Sequence, residues 1–189
     1  MSKIKIIGID PSMSNLGIAK GYMDLDTLEW QVEEVELTKT EKGKSKTVRK
    51  SSDDYDRARL LYEALSEAEK GAEIAFVEMP IGSQSAAAMK SYGMCIQLIA
   101  SLDIPVIQVT PAQVKLHATG DKNATKEEMI YWATDRFPQA NWLRQGVRLT
   151  QANEHLADAC GAINAGILED DFKALIKMLR KMTASFTKS

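Results

Sequence analysis

Two carboxylates stand where apolar segments of the sequence end. Asp10 closes the run 3–10 and Glu78 closes the run 73–78, and a proline follows each carboxylate within two residues. Proline lacks the backbone N–H that a sheet requires, which indicates two buried strands that stop there. If the strands are parallel, both carboxylates lie at the edge where open α/β sheets bind ligands. Because an unpaired buried carboxylate is costly, the pair favours a Mg²⁺ site; the alternative is two exposed or helix-capping side chains.

A third set of reactive side chains lies at the start of a helix predicted over residues 152–168. His155 and Asp158 are three residues apart, and Glu154 and Asp158 are four apart, so all three can project from one helix face. The alternative is that Glu154 and His155 are ordinary first-turn residues in the field of the helix dipole. Acidic groups arriving from two strand ends and one helix favour metal-dependent chemistry.

Small residues recur along the same predicted helix at Ala157, Gly161 and Ala165. A small residue lets a backbone approach its neighbour closely. We expect this stripe to face the sheet and to bring Asp158 up to the strand-end carboxylates.

Lysines follow the run 105–109, which is a further predicted strand, and would lie at the same sheet edge. They are Lys115, Lys122 and Lys126, within the segment 110–126. Cations beside a carboxylate–metal group suit a phosphodiester substrate, because contacts to the phosphate backbone dominate the affinity of nucleic-acid binding. The alternative is a solvated pair of helices that carries lysines.

The pattern of apolar residues places these groups on a mixed α/β framework. Three strand-like runs separated by turn residues predict an antiparallel meander, and strands that then alternate with helices predict parallel crossovers. The predicted strands are 3–10, 15–23, 28–37, 73–78 and 105–109. Six helices are predicted, over residues 53–71, 83–101, from Thr110-Pro111 onward, from Thr125 to about 137, 152–168 and 170–183. The helix over 83–101 is predicted to be largely buried. We expect one α/β domain over residues 1–189, with a mixed five-stranded sheet (three antiparallel strands plus two parallel) and helices on both faces.

Composition excludes several classes of protein. The 189 residues are 44% hydrophobic and 26% charged, which excludes a disordered or fibrous chain. No apolar run reaches the length of a membrane span, which is about 18 residues. Cys95 and Cys160 lie in apolar surroundings without a C-x-x-C motif, so we expect two buried free thiols and a cytoplasmic location.

Charge is unevenly distributed although the net charge is only −2. Residues 38–50 hold six Lys or Arg and one Glu, within a predicted loop at 38–52, and the segment 171–189 is also basic. Basic appendages on an acidic body suit a protein that binds a polyanion, and they suit solvated surface segments equally well.

Four short motifs follow one another over residues 1–168. They are Gly8-Ile9-Asp10-Pro11 with Gly17; Glu78 with the run from Ile81 to Gly93, which includes Lys90; Gln113-Val114-Lys115 with Gly120, Ala124 and Lys126; and His155-Leu156-Ala157-Asp158-Ala159. In this order they resemble the G-I-D-P-G…G, second acidic, Q-V-K…G…A-x-K and (D/H)-x-A-D-A motifs of the RuvC-type Holliday junction resolvases. That family has the ribonuclease H-like fold, and this chain resembles a divergent, phage-encoded member.

The resemblance implies a homodimer that binds a four-way DNA junction and nicks two strands symmetrically. Asp10, Glu78 and Asp158 would hold two Mg²⁺ ions, or Mn²⁺ in their place, and His155 would be a ligand or a proton-transfer group. Two-metal hydrolysis, with Asp10 bridging ions about 3.5–4 Å apart, would leave 5′-phosphate and 3′-hydroxyl ends. No nucleotide cofactor is expected.

The resemblance also implies which cations contact DNA. Lys115 and Lys126 match lysines that support catalysis and hold phosphates. Lys90, within the matched run, and Lys122, from the basic segment 110–126, complete the expected DNA-binding set. Two positions depart from the family pattern: Ser12 replaces a glycine, and Ile81 stands where an aromatic residue can stack on the junction centre.

Three other functions fit parts of this pattern. One is a broader flap or fork nuclease of the same fold, and another is a junction-binding module without catalysis. The third is an actin-like phosphotransferase, whose first phosphate loop also reads G-I-D-x-G but which usually needs two such domains.

Overall fold

Five strands form one mixed sheet in the computed structural model, which describes residues 3–43, 49–82 and 85–186. The strands are β1 (Lys3–Asp10), β2 (Asn15–Asp24), β3 (Trp30–Lys39), β4 (Ile74–Glu78) and β5 (Val106–Val109). They lie in the order β3-β2-β1-β4-β5. β2 is antiparallel to β1 and β3, whereas β4 is parallel to β1 and β5. The predicted sheet is confirmed.

Six helices cover the sheet within the described residues. They are α1 (Lys50–Glu69), α2 (Ala86–Ile99), α3 (Pro111–Thr119), α4 (Lys126–Arg136), α5 (Asn153–Gly166) and α6 (Asp170–Phe186). Thr110 with Gln113 begins α3, and Thr125 with Glu128 begins α4; in each capping box the two side chains bond to each other's backbone N–H. Both helices start where the sequence predicts.

The sheet separates two hydrophobic cores, because successive strand residues point to opposite faces. On one face, Val77 of β4 belongs to a core with Leu61 and Leu65 of α1. On the other face, Phe76 belongs to a core built with α3, α4, α5 and α6, and its ring packs 5.4 Å from that of Phe172. The elements that carry the predicted chemistry after β5 therefore all lie on the Phe76 face.

The prediction that residues 83–101 form a largely buried helix is wrong. In α2 only Cys95, Leu98 and Ile99 are buried, and Ala86, Ala87 and Met89 of its first turns are exposed. Alanine and methionine are compatible with either environment, so composition alone does not reveal which half of the helix leaves the sheet.

The predicted basic loop at 38–52 is shorter at both described ends. β3 continues to Lys39, and α1 begins at Lys50. Residues 44–48 of this segment lie outside the described residues.

The outer edge of β3 is covered by the chain that follows α4. Gln139 Nε2 donates to the Val32 carbonyl oxygen, and Val35 N–H donates to Asn141 Oδ1, both at 2.8 Å. Side-chain amides thus replace a neighbouring strand at an otherwise unpaired sheet edge. Beyond them, β6 (Arg144–Gln145) and β7 (Arg148–Leu149) form a small antiparallel hairpin that the sequence patterns did not predict.

Both cysteines are buried and free, as predicted. In the part of the chain that the structure describes, no helix is both long and apolar enough to cross a membrane.

Candidate active site

Asp10 and Glu78 end neighbouring parallel strands. β1 and β4 are in register at Ile9 and Val77, so the next residue of each strand carries its carboxylate to the same edge of the sheet. The negative charge of Asp10 contributes to a raised pKa at Glu78, as expected for two carboxylates that lie near each other. The structure therefore brings these two predicted residues together.

α5 reaches this edge because glycines in the sheet leave room for its backbone. A Cβ atom on Gly8 of β1 would lie 2.1 Å from the Ala159 carbonyl oxygen, and one on Gly17 of β2 would lie 2.2 Å from the His155 carbonyl oxygen. No real Cβ atom approaches an oxygen so closely. Any side chain at either position would therefore displace the helix that carries His155 and Asp158.

The prediction that the small-residue stripe on α5 faces the sheet is wrong at Gly161. A Cβ atom there would lie 2.6 Å from Val114 Cγ1 of α3 and 3.3 Å from Met129 Cε of α4. Gly161 is two positions beyond Ala159, which turns it about 200° around a helix of 3.6 residues per turn. The stripe at Gly161 therefore brings α3 and α4 close to α5, and the strand glycines bring α5 close to the sheet.

His155 binds Asp10 directly. His155 Nδ1 lies 2.6 Å from Asp10 Oδ2, and both side chains are largely buried. This hydrogen bond raises the pKa of His155 above its ordinary value, although burial alone would lower it. Asp10 and His155, each predicted as a site residue, are thus in contact although they are 145 positions apart in the sequence.

Glu78 and Asp158 carry strongly perturbed carboxyl groups. Burial, reinforced by the charges of neighbouring carboxylates, raises the pKa of Glu78 to about 9 and the pKa of Asp158 to about 7. Asp158 Oδ1 is buried and has no hydrogen-bond partner among the described residues. A buried oxygen without a donor is unfavourable unless another partner occupies its lone pairs.

The four predicted ligands are not arranged as a preformed metal-binding site. No group of three or more His, Cys, Asp or Glu side chains in the described part of the chain is arranged as a metal site. One carboxylate oxygen of Asp10 is hydrogen-bonded to His155. The charge of Asp10 still contributes to the raised pKa values of Glu78 and Asp158. The donor set nevertheless suits a hard divalent cation, because it is rich in carboxylate oxygen and includes the orphaned Asp158 Oδ1.

Two of the four predicted lysines lie beside the acidic residues. The positive charge of Lys115 on α3 partly counteracts the rise in the pKa of both Glu78 and Asp158. Lys126, at the start of α4, forms an ion pair with Glu154, with Nζ and Oε2 2.7 Å apart. The structure therefore places Lys115 next to the carboxylates and Lys126 at the rim.

Of the other two predicted lysines, Lys90 is separated from that group by the sheet. Lys90 of α2 pairs with Asp54 of α1, on the opposite face of the sheet from α5. Lys122 is exposed in the connection between α3 and α4.

Arg57 is a positioning residue that the sequence reasoning missed. Although only 5% exposed, it donates to the Met13 carbonyl oxygen at 2.8 Å and to Thr40 Oγ1 at 3.0 Å, and Thr40 Oγ1 also donates to the Met13 carbonyl oxygen. These bonds fix the loop that follows Asp10. A signal was present, because Arg57 lies four residues before Leu61 in the buried stripe of α1.

Two solved structures of RuvC are similar to this chain. The structure of Thermus thermophilus RuvC in complex with a Holliday junction substrate is 22% identical to this chain, with a TM-score of 0.57, and the match covers 86% of this chain and 92% of RuvC. A second Thermus thermophilus RuvC structure is 23% identical, with a TM-score of 0.53 and the same coverage. These likenesses show the ribonuclease H-like fold. This chain shares the fold of RuvC, so the fold that the motif resemblance implied is confirmed.

More distant similarity adds little. A Fowlpox virus resolvase, solved with substrate Holliday junction DNA, is 11% identical with a TM-score of 0.44, over 93% of this chain and 99% of the resolvase, and is too remote to support an inference. No family model and no curated protein matches the chain in sequence.

Gly17→Ala should destabilise the fold, because its methyl group would collide with the backbone of α5. Overpacking of this kind costs about 1–3 kcal/mol, which urea unfolding would measure. Gly93→Ala is the matched control, because a Cβ atom there meets nothing within 4 Å and helix propensity should stabilise α2 by about 0.5–1 kcal/mol. Equal stability of the Gly17 variant and the wild type would contradict the close contact.

In metal-free buffer, the free energy of unfolding should fall as the pH rises from about 5 to about 9. The raised pKa values of Glu78 and Asp158 mean that the unfolded chain binds fewer protons than the folded chain in this range. Glu78→Gln should flatten the decline in thermal melts, whereas Glu33→Gln, at an exposed position on β3, should preserve it. A decline that is equally steep in Glu78→Gln would argue against the perturbed carboxyl group.

Proposed function

We propose that this chain is a structure-selective endonuclease that resolves four-way DNA junctions by metal-dependent phosphodiester hydrolysis. The observation that carries the proposal is the convergence of Asp10, Glu78, His155 and Asp158 at one edge of a RuvC-like sheet, with Lys115 beside them. Carboxylates with a neighbouring cation suit a reaction at a phosphate, where positioning and charge stabilisation carry most of the catalysis. A single nuclease domain over residues 1–189 would perform it.

The proposed cofactor is a pair of Mg²⁺ ions, for which Mn²⁺ would substitute. Asp10, Glu78 and Asp158 would hold them, and the orphaned Asp158 Oδ1 supplies an oxygen that has no other partner among the described residues. When bound, the ions would supply Lewis-acid stabilisation of the phosphate and an activated water, leaving 5′-phosphate and 3′-hydroxyl ends. Their charge would also favour the ionised forms of Glu78 and Asp158.

His155 has two possible roles that its contact with Asp10 distinguishes. As a ligand, His155 would rotate away from Asp10 and leave that carboxylate free. As a proton-transfer group, it would keep the 2.6 Å bond, and Asp10 would hold the imidazole in one orientation. We propose the second role, because the existing bond already raises the pKa of His155 and so keeps a proton on the ring at a higher pH.

The proposed substrate is branched DNA bound by a homodimer. Lys115 and Lys126 would contact phosphates at the site, and Lys90 and Lys122 would contact phosphates farther away. For the dimer, α1 and α2 offer a surface with exposed Tyr55, Tyr62 and Met89. The RuvC structure with junction DNA supports the choice of substrate. A monomeric mass at micromolar concentration would contradict the dimer.

A broader branched-DNA nuclease is the second candidate. Ile81, which is 76% exposed, stands where family members can place an aromatic residue on the junction centre. Because an isoleucine offers no ring for stacking on bases, discrimination between junctions, flaps and forks would be weaker in this chain. A catalytically silent junction-binding module is the remaining alternative, and the intact acidic set disfavours it. The two free, buried cysteines suit the reducing cytoplasm of a bacterial or infected host cell.

Cleavage of synthetic DNA decides among these functions. Wild type should nick a mobile four-way junction in Mg²⁺ or Mn²⁺ and not without metal, and Asp10→Asn should lower the rate by about 10²–10³-fold or more. Asp26→Asn, an exposed substitution in the turn between β2 and β3, is the matched control. Equal cleavage of flaps and forks would favour the broader nuclease, and tight binding without nicking would favour the silent module. A wild-type rate in Asp10→Asn would show that Asp10 is not required.

Metal binding can be measured without DNA. At a pH of about 8 and at about 100 times its dissociation constant, Mg²⁺ or Mn²⁺ should stabilise the wild type by about 2.7 kcal/mol, seen as a higher melting temperature. Asp158→Asn should lose most of this gain, because its amide cannot supply a carboxylate charge, whereas Asp26→Asn should retain it. An identical gain in Asp158→Asn would contradict the proposed ligand set.

A further inference from the structure

A small hairpin stands at the entrance to α5 and has no role in the proposed catalysis. β6 and β7 pair at two positions, Arg144 with Leu149 and Gln145 with Arg148. Gly146 has a φ of 62°, and Val147 is not among the described residues with positive φ, the pattern of a type II′ turn. The hairpin is thus a tight, defined turn whose tip is Gly146-Val147.

Side chains from the protein interior anchor the base of the hairpin. Asn153, the fully buried first residue of α5, accepts a hydrogen bond from Leu143 N–H at 2.9 Å and donates to the Leu143 and Thr150 carbonyl oxygens. Thr150 N–H also donates to the Leu143 carbonyl oxygen, and Leu143 and Leu149 pack against the core. The hairpin is therefore fixed relative to α5, because Asn153 is part of α5 and bonds to Leu143 and Thr150 on the two sides of the hairpin.

The outer part of the hairpin is both basic and apolar. Val147 at the tip is 89% exposed, and Arg144 and Arg148 on either side of it are exposed as well. Residues 137–153 contain these two arginines and no Asp or Glu. Arg144 Nη1 donates to the Val147 carbonyl oxygen at 3.2 Å, which leaves the other guanidinium donors available to an external acceptor.

The hairpin lies next to the candidate active site. Its anchor, Asn153, immediately precedes Glu154 and His155 in α5. Gln151, just after the hairpin, donates to Glu127 of α4, and Lys126 beside it pairs with Glu154. The acidic group, the rim lysine and the arginine hairpin therefore share one end of α4 and α5.

We propose that the hairpin is a second DNA-binding element, which holds the duplex arm beside the scissile phosphate; this inference rests on the proposed function. Arg144 and Arg148 would bind backbone phosphates, and Val147 would contact the sugar edge in a groove. A two-stranded ribbon fits a DNA groove, and arginine with an apolar tip is a combination used there. Charge complementarity favours DNA over a protein partner, because two arginines with no acidic neighbour in the segment match a polyanion.

Binding of labelled DNA tests the hairpin separately from cleavage. Fluorescence anisotropy in metal-free buffer would compare a four-way junction with a duplex of equal arm length over a range of salt concentrations. Arg144→Ala/Arg148→Ala should weaken binding of both DNAs by about tenfold and reduce the slope of log K against log salt by about 2. Val147→Asp should also weaken binding, because it places a carboxylate near phosphates, whereas the similarly shaped Val147→Thr should bind like the wild type.

Arg59→Ala/Lys70→Ala is the matched control for charge. It removes two exposed cations, Arg59 of α1 and Lys70 directly after α1, on the opposite face of the sheet, and should leave affinity and salt slope close to those of the wild type. Melting temperatures of the hairpin variants should equal that of the wild type, because the substituted side chains are exposed. A fall in melting temperature would be checked with Val147→Asp and Val147→Thr, which change only the tip.

The outcomes separate this inference from the proposed function. If wild type cleaves junctions but the arginine variant binds DNA as tightly as the control and with the same salt slope, the hairpin proposal is overturned. The exposed tip would then point to a protein contact. If the hairpin effect on binding appears but no branched DNA is cut in Mg²⁺ or Mn²⁺, the nuclease proposal fails, and the hairpin stands as a DNA-binding element without a role beside a scissile phosphate. Failure of the wild type to bind either DNA overturns both.

Discussion

The contact between the backbone of α5 and two strand glycines governs the geometry of the candidate site. Gly8 and Gly17 admit the carbonyl oxygens of Ala159 and His155 at distances that no side chain would allow. Glycine in a strand weakens the strand, so this approach has a conformational cost that the packing of α5 must offset. The separation of β1 and β2 from α5 is therefore set by main-chain atoms, which cannot adjust by changing rotamer.

The electrostatics of the site work against the stability of the fold. Glu78, Asp158 and Asp10 share a partly buried space, and burial together with mutual repulsion raises the pKa of the first two. His155 hydrogen-bonds to Asp10, and the positive charge of Lys115 partly offsets the rise in the pKa of Glu78 and Asp158. Acidic groups kept in such surroundings lower the stability of the fold wherever they are ionised.

Features carried by local patterns were predictable, and features carried by packing were not. Strand ends at Asp10 and Glu78 follow from apolar runs closed by proline, and the capped helix starts at Thr110 and Thr125 follow from local spacing. The neighbour of Gly161, the exposed half of α2 and the contact between Asp10 and His155 depend on how helices rotate against one another. Periodicity identifies a buried stripe but not its partner. The hairpin could not be predicted, because strands of two residues are too short to show an alternation of apolar and polar residues.

Arg57 links three parts of the chain that are remote in sequence. Its guanidinium joins α1 to the loop after Asp10 and to Thr40, where β3 gives way to the basic segment. Thr40 and α1, on the two sides of the basic segment, are consequently both hydrogen-bonded to the backbone that follows Asp10. A displacement of Thr40 or of α1 would therefore be transmitted through these hydrogen bonds to the backbone of Met13, three residues after Asp10.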